Sequence, residues 1–142
     1  MATLDTLITR FRNADRTTRL ETLLDYSRRL PPLPDRFEAD KAAGNNRVHE
    51  CLTPVYLWTE VENGQVHLYA DVPRESPTVR GFISLLIKAL DGETVDAVGR
   101  VPNDLLEQLG LGETLGMTRT QGLTAILARV KRAVASHDGA HS

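Results

Sequence analysis

The chain has 142 residues, with 17 Lys and Arg against 19 Asp and Glu, and a formal charge of −2. That length suits one domain, residues 1–142, able to bury about two-thirds of its unfolded surface without a disulfide or metal. Acids and bases are interspersed, so no basic stripe marks a nucleic-acid face. No apolar run approaches the ~18 residues of a membrane helix. Met1-Ala2-Thr3-Leu4-Asp5 lacks the charged-then-apolar start of a secretion signal, and the expectation is a cytoplasmic protein whose single thiol stays reduced.

Leu4, Leu7, Ile8 and Phe11 recur at helical spacing and predict a first helix over residues 3–13. Asp15 is placed to cap a second, with Leu20, Leu23, Leu24, Ser27 and Leu30 on one face. Pro31-Pro32-Leu33-Pro34 ends it. Residues 35–47 are polar and read as a linker or mobile loop.

From Val55 the period changes to two. Val55, Leu57, Thr59 and Val61 alternate with Tyr56, Trp58, Glu60 and Glu62, then Asn63-Gly64 gives the strongest short hairpin signal. Residues 54–71 therefore read as an antiparallel hairpin. Its pairing places Asp71 and the residues after it near Cys51, which lies just before the first strand. Val79, Phe82, Ile83, Leu86, Ile87 and Leu90 mark a helix closed by Gly92. Gly81 on this helix implies close packing, expected against the hairpin. Residues 94–99 read as a short helix, Asn103 as the cap of another over 104–109, and Leu109-Gly110-Leu111-Gly112 as a turn. Thr118 and Gln121 fit a capping box at the start of a last long helix buried along Leu123, Ile126, Leu127, Val130 and Val134. Residues 136–142 read as a frayed tail. Grouped strands flanked by helices predict an α+β domain of two layers, a small antiparallel sheet covered by helices, with a short third strand completing the hairpin.

Cys51 is the only cysteine. It lies where a polar loop, Gly44-Asn45-Asn46, gives way to the hairpin, and function concentrates on loops held by rigid scaffolds. A thiol there is a candidate metal ligand, nucleophile, sulfur carrier or buried apolar residue. Metal is disfavoured because a structural zinc site takes about four paired Cys and His ligands, and only His49 is close in sequence. His137 and His141 read as solvated residues of the tail. His49 is a candidate to tune the thiol, and Glu50 works against its ionisation. Arg119 falls in the first turn of the last helix, where a cation opposes the helix dipole, so it is either a plain surface residue or one used for an anion or a thiolate.

Val48-His49-Glu50-Cys51-Leu52-Thr53-Pro54-Val55-Tyr56-Leu57 resembles the V-x-G-C-x-S-x-V-W segment of SufE-type proteins. The run from Gly64 to Asp71, Thr78-Val79-Arg80-Gly81-Phe82, Leu109-Gly110-Leu111 and Thr118-Arg119-Thr120-Gln121-Gly122-Leu123 follow that family in order. Glu50 stands where the family has glycine, Thr53 for its serine and Tyr56 for its tryptophan. Asp71-Val72-Pro73 replaces the family's D-S-D. The resemblance implies a SufE/NifU-like α+β fold and a sulfur acceptor of iron–sulfur cluster assembly. It implies a PLP-dependent cysteine desulfurase (SufS/CsdA-like) as partner, stimulated by the acceptor, and a cluster scaffold as the next recipient. Cys51 is then the persulfide acceptor, and Arg119, Asp71, Glu50 and Gly81 are candidates for partner binding. The chain itself needs no cofactor or metal, and acts as an accessory sulfur-transfer protein. The rival reading is a docking or regulatory module of the same fold, with Cys51 buried and inert.

Overall fold

The computed structural model describes residues 1–140. Helix α1 (Ala2–Asn13) buries Leu4, Leu7 and Phe11, as its spacing demands. Helix α2 (Arg16–Ser27) starts where Asp15 accepts a hydrogen bond from the Thr18 N–H at 2.8 Å. This bond favours the ionised carboxylate and holds the Asp15 pKa below its usual value. Leu30 lies beyond the end of α2 but is still buried in the core.

Strands β1 (Tyr56–Glu62) and β2 (Gln65–Asp71) pair antiparallel with Tyr56 opposite Asp71. Asn63 (φ 54°) and Gly64 (φ 78°) both occupy the left-handed region, the pattern of a type I′ turn. The expected third strand is reduced to single bridges. Arg47 pairs with Tyr56 on one edge, and Gln65 with Thr94 on the other. Asp91 explains the second. Its carboxylate accepts from the Leu68 N–H, and the adjoining turn occupies the rest of that edge through Val66 N–H to Glu93 O and Gly92 N–H to Val66 O.

The hairpin is covered on both faces. Leu57, Val66, Leu68 and Ala70 point into the helical core. The other face carries Trp58 and Tyr69, and over it lies the segment that composition marks as a linker. Asp35–Phe37 forms one 3₁₀ turn and Glu38–Ala42 forms helix α3. Phe37 stacks on Trp58 at 4.9 Å between ring centroids and tilts against Tyr69 at 5.0 Å. Arg36 holds Glu60 with two bonds of 2.7 and 2.8 Å and lies over the Phe37 ring. This segment is an ordered strap. Its polarity conceals it because one buried aromatic leaves no periodicity to read.

Helix α4 (Pro77–Leu90) is buried along most of its length and ends at Gly92, φ 86°. Short helices α5 (Val95–Gly99), α6 (Leu105–Gln108) and α7 (Leu111–Leu115) follow. Thr94 caps α5 by accepting from Ala97 N–H at 3.1 Å. Asn103 caps nothing; its side-chain oxygen accepts from Lys131. The expected turn at 109–112 is confined to Leu109-Gly110, and the next residues form α7. Helix α8 (Met117–Ala140) begins before Thr118, so Thr118 and Gln121 lie within it and form no capping box. It runs beyond Ser136 to Ala140. His141 and the last residue of the expected tail lie outside the described residues.

Gly81 faces α2 and not the hairpin. A Cβ placed on it would sit 2.1 Å from the Leu23 carbonyl oxygen, inside van der Waals contact with backbone. Replacing it forces two closely packed helices apart. Gly81→Ala is expected to lower unfolding free energy by about 2–3 kcal/mol, measured by urea denaturation of both proteins.

Candidate functional site

The cysteine loop hangs between two fixed points. Val48 and Val55 are fully buried, and the Val48 N–H donates to the Val55 carbonyl at 2.8 Å. Leu57 N–H donates to Asn46 O at 3.0 Å, and the Asn46 side-chain amide returns a bond to Leu57 O at 3.1 Å. Asn46 can take this position because it tolerates its positive φ of 64°. From α8, Arg129 Nη1 donates to Arg47 O at 3.0 Å. Residues 49–54 therefore leave and rejoin a rigid base.

Within that loop Cys51 turns inward and is 8% exposed. Its Sγ lies over α8 at Gly122, where an added Cβ would come within 3.7 Å of the sulfur. Beside it opens a cavity of about 740 Å³. Three segments line it: the cysteine loop from Glu50 to Thr53, the start of α4 from Glu75 to Val79, and the α7–α8 junction from Leu115 to Arg119. Two long helices thus present their N-terminal turns to one hollow, and neither carries an acid in its first turn. Their positive ends and Arg119 share the hollow with Glu50 and Glu75.

The sequence-derived candidates separate here. Cys51, Glu50 and Arg119 share the cavity. Arg119 Nη1 donates to Thr78 Oγ1 at 3.3 Å, which ties the start of α8 to the start of α4. Asp71 does not line the cavity and pairs with Lys41 of the strap at 2.8 Å. The hydrogen bond from the ammonium to that carboxylate raises the Lys41 pKa. The residues after Asp71 do reach the cavity, so the hairpin brings the right segment and not that side chain. Gly81 is buried against Leu23 and offers a partner no surface. His49 is exposed and does not line the cavity.

Two residues escaped the sequence reading. Leu52 is 91% exposed and Met117 is 77% exposed. Both border the cavity. Periodicity cannot find them, because each stands alone in a loop or at a helix start. Among the described residues no group of three His, Cys, Asp or Glu gathers as a metal site, and no helix is long and apolar enough to cross a membrane.

The family profile "SufE: Fe-S metabolism associated domain" matches residues 5–134. The chain belongs to the SufE family. An uncharacterized SufE-like protein of Mycobacterium tuberculosis is 33% identical over 96% of this chain and 94% of its own length. The sulfur acceptor protein CsdE of Escherichia coli is 33% identical over 73% of this chain and 68% of its own. The solution structure of a hypothetical protein from Thermus thermophilus superposes with a TM-score of 0.82 at 36% identity, covering 94% of each chain. The SufE assignment and the α+β architecture of a hairpin packed on helices agree with the expectation from sequence.

In this SufE-family chain, Gly122 lies under the Cys51 side chain, and a Cβ there would meet the sulfur at ordinary contact distance. Gly122→Leu extends a side chain toward the sulfur and displaces it. The expected result is several-fold faster alkylation of Cys51 by iodoacetamide in the native protein, with the far-UV circular dichroism spectrum unchanged.

Proposed function

We propose that this protein is a sulfur acceptor: Cys51 takes the outer sulfur of a persulfide held by a cysteine desulfurase and passes it toward iron–sulfur cluster assembly. The observation that carries the reading is the position of the sole cysteine, on a loop with a fixed base, at the wall of an open cavity. Membership of the SufE family and similarity to a protein named as a sulfur acceptor support it.

The step is an exchange between sulfurs. The Cys51 thiolate attacks the terminal sulfur of the donor's persulfide. A new S–S bond forms on Cys51 as the donor's S–S bond breaks, and the donor cysteine leaves as a thiolate. The terminal proton travels with the transferred sulfur, and no net oxidation occurs. The reaction draws on no cofactor of the acceptor; the PLP that extracts sulfur from cysteine belongs to the donor. Emptying the donor's cysteine is what would stimulate its turnover. The two helix N-termini and Arg119 favour anionic groups at the cavity, each helix end by about 0.3–1 kcal/mol. Met117, exposed at the cavity rim, gives the partner apolar contact beside the thiol.

The burial of Cys51 favours one rival, a docking module that regulates a desulfurase without accepting sulfur. Intact-mass analysis after incubation with a desulfurase, PLP and L-cysteine separates the two. The expected outcome is a reducible gain of whole sulfur atoms mapped to Cys51 and absent from Cys51→Ser. Stimulated desulfurase activity with no mass gain establishes the docking module. Arg119→Ala is expected to raise the donor concentration for half-maximal transfer several-fold, with the largest effect at low salt. Transfer assays across a salt series read this directly.

A further inference from the structure

A thiol that is 8% exposed must leave the cavity wall before another protein's sulfur can reach it. Leaving uncovers the apolar surface it rested on. Its neighbour has the opposite problem. Leu52 is 91% exposed, an unfavourable position for an aliphatic side chain. The two are adjacent, one inward and one outward.

The segment that carries them is weakly held. Between the fixed valines, the described hydrogen bonds are Cys51 N–H to Val48 O at 3.3 Å, Val55 N–H to Thr53 O at 2.8 Å, and a hydroxyl contact of Thr53 with Ser76 at 3.5 Å. The base is held by four bonds of 2.8–3.1 Å at Asn46, Arg47, Val48 and Leu57, which tie it to the strand and to α8. Rotation is therefore concentrated in the residues between. The cavity beside Cys51 holds about 740 Å³, and Val79, Leu115 and Ala125 are among its apolar lining. It accommodates a leucine side chain.

The geometry points to Leu52 as the counterweight of the thiol. A half-turn of residues 50–53 carries Cys51 outward and brings Leu52 into the cavity, where it covers the surface that the sulfur leaves. Burial of the leucine offsets exposure of the cysteine, so the outward state is kept within reach. Leu52 is a positioning residue, and its purpose rests on the sulfur-acceptor reading.

The test measures native-state alkylation of Cys51, which is unambiguous because the chain has one cysteine. Rates are normalised to the urea-unfolded chain, which removes any change in intrinsic reactivity. Leu52→Ser is expected to react about tenfold more slowly, with Tm unchanged because the side chain is solvated at rest. Leu52→Met, apolar and flexible, is expected to restore the rate. A Leu52→Ser protein that reacts as fast as the unaltered one, or a Leu52→Met protein as slow as Leu52→Ser, overturns the exchange. Persulfide transfer is read in parallel on the same proteins. Slowed alkylation in Leu52→Ser with no transfer to the unaltered protein supports the exchange and sinks the acceptor reading. Impaired transfer with unchanged alkylation makes Leu52 a docking contact alone and overturns the exchange.

Discussion

The backbone contact between α2 and α4 at Gly81 sets the geometry on which the site depends. It brings α4 against the Leu23 carbonyl, a distance that only a residue without a Cβ allows. The preceding residue uses the same approach. Arg80 donates from Nε to Ser27 O at 2.8 Å and from Nη1 to Val72 O at 2.6 Å. One side chain thus joins the end of α2, the exit of β2 and the first turns of α4. That first turn is one wall of the cysteine cavity. A residue far from the thiol in contact terms therefore fixes where the wall stands.

The opposite wall is built on the same logic from the other end of the chain. The buried stripe of α8 packs into the core, and Arg129 reaches from it to the carbonyl of Arg47 at the root of the cysteine loop. Gly122, almost two turns before Arg129, lies directly under the sulfur. Arg119 then closes the junction between α8 and α4 through Thr78. The loop is suspended between the strand edge that holds its base and the α8 face on which the sulfur rests.

Much of this was legible in the sequence, for identifiable reasons. Period-two alternation around Asn63-Gly64 specified the hairpin and its register, because the I′ turn and the pleat allow one arrangement. The α4 stripe and its terminal Gly92 were equally plain. The strap was not. Phe37 is a single apolar contact in a polar run, and its partner Trp58 sits on the face that alternation marks as outward. Asp71 shows the same limit at the site. Pairing placed its backbone at the cavity end of the hairpin, but a side chain chooses among charges brought by other segments, and Lys41 of the unread strap claimed it. Gly81 was noticed, but sequence could not say which of its neighbours came close.

A buried thiol and an acceptor thiol are compatible because of what cysteine costs to move. Withdrawing a core leucine leaves a cavity worth about 2–5 kcal/mol. Cysteine presents far less apolar surface, and here it borders open space. Exposing so small a group costs on the order of 1 kcal/mol at about 25 cal/mol per Å². An outward state at that cost is populated at roughly a tenth or more of the inward one. A partner that binds it preferentially needs little energy to complete the shift, and until then the sulfur is shielded from solvent oxidants. Burial at rest is therefore a form of protection consistent with transfer, and the residue to watch is the leucine beside it.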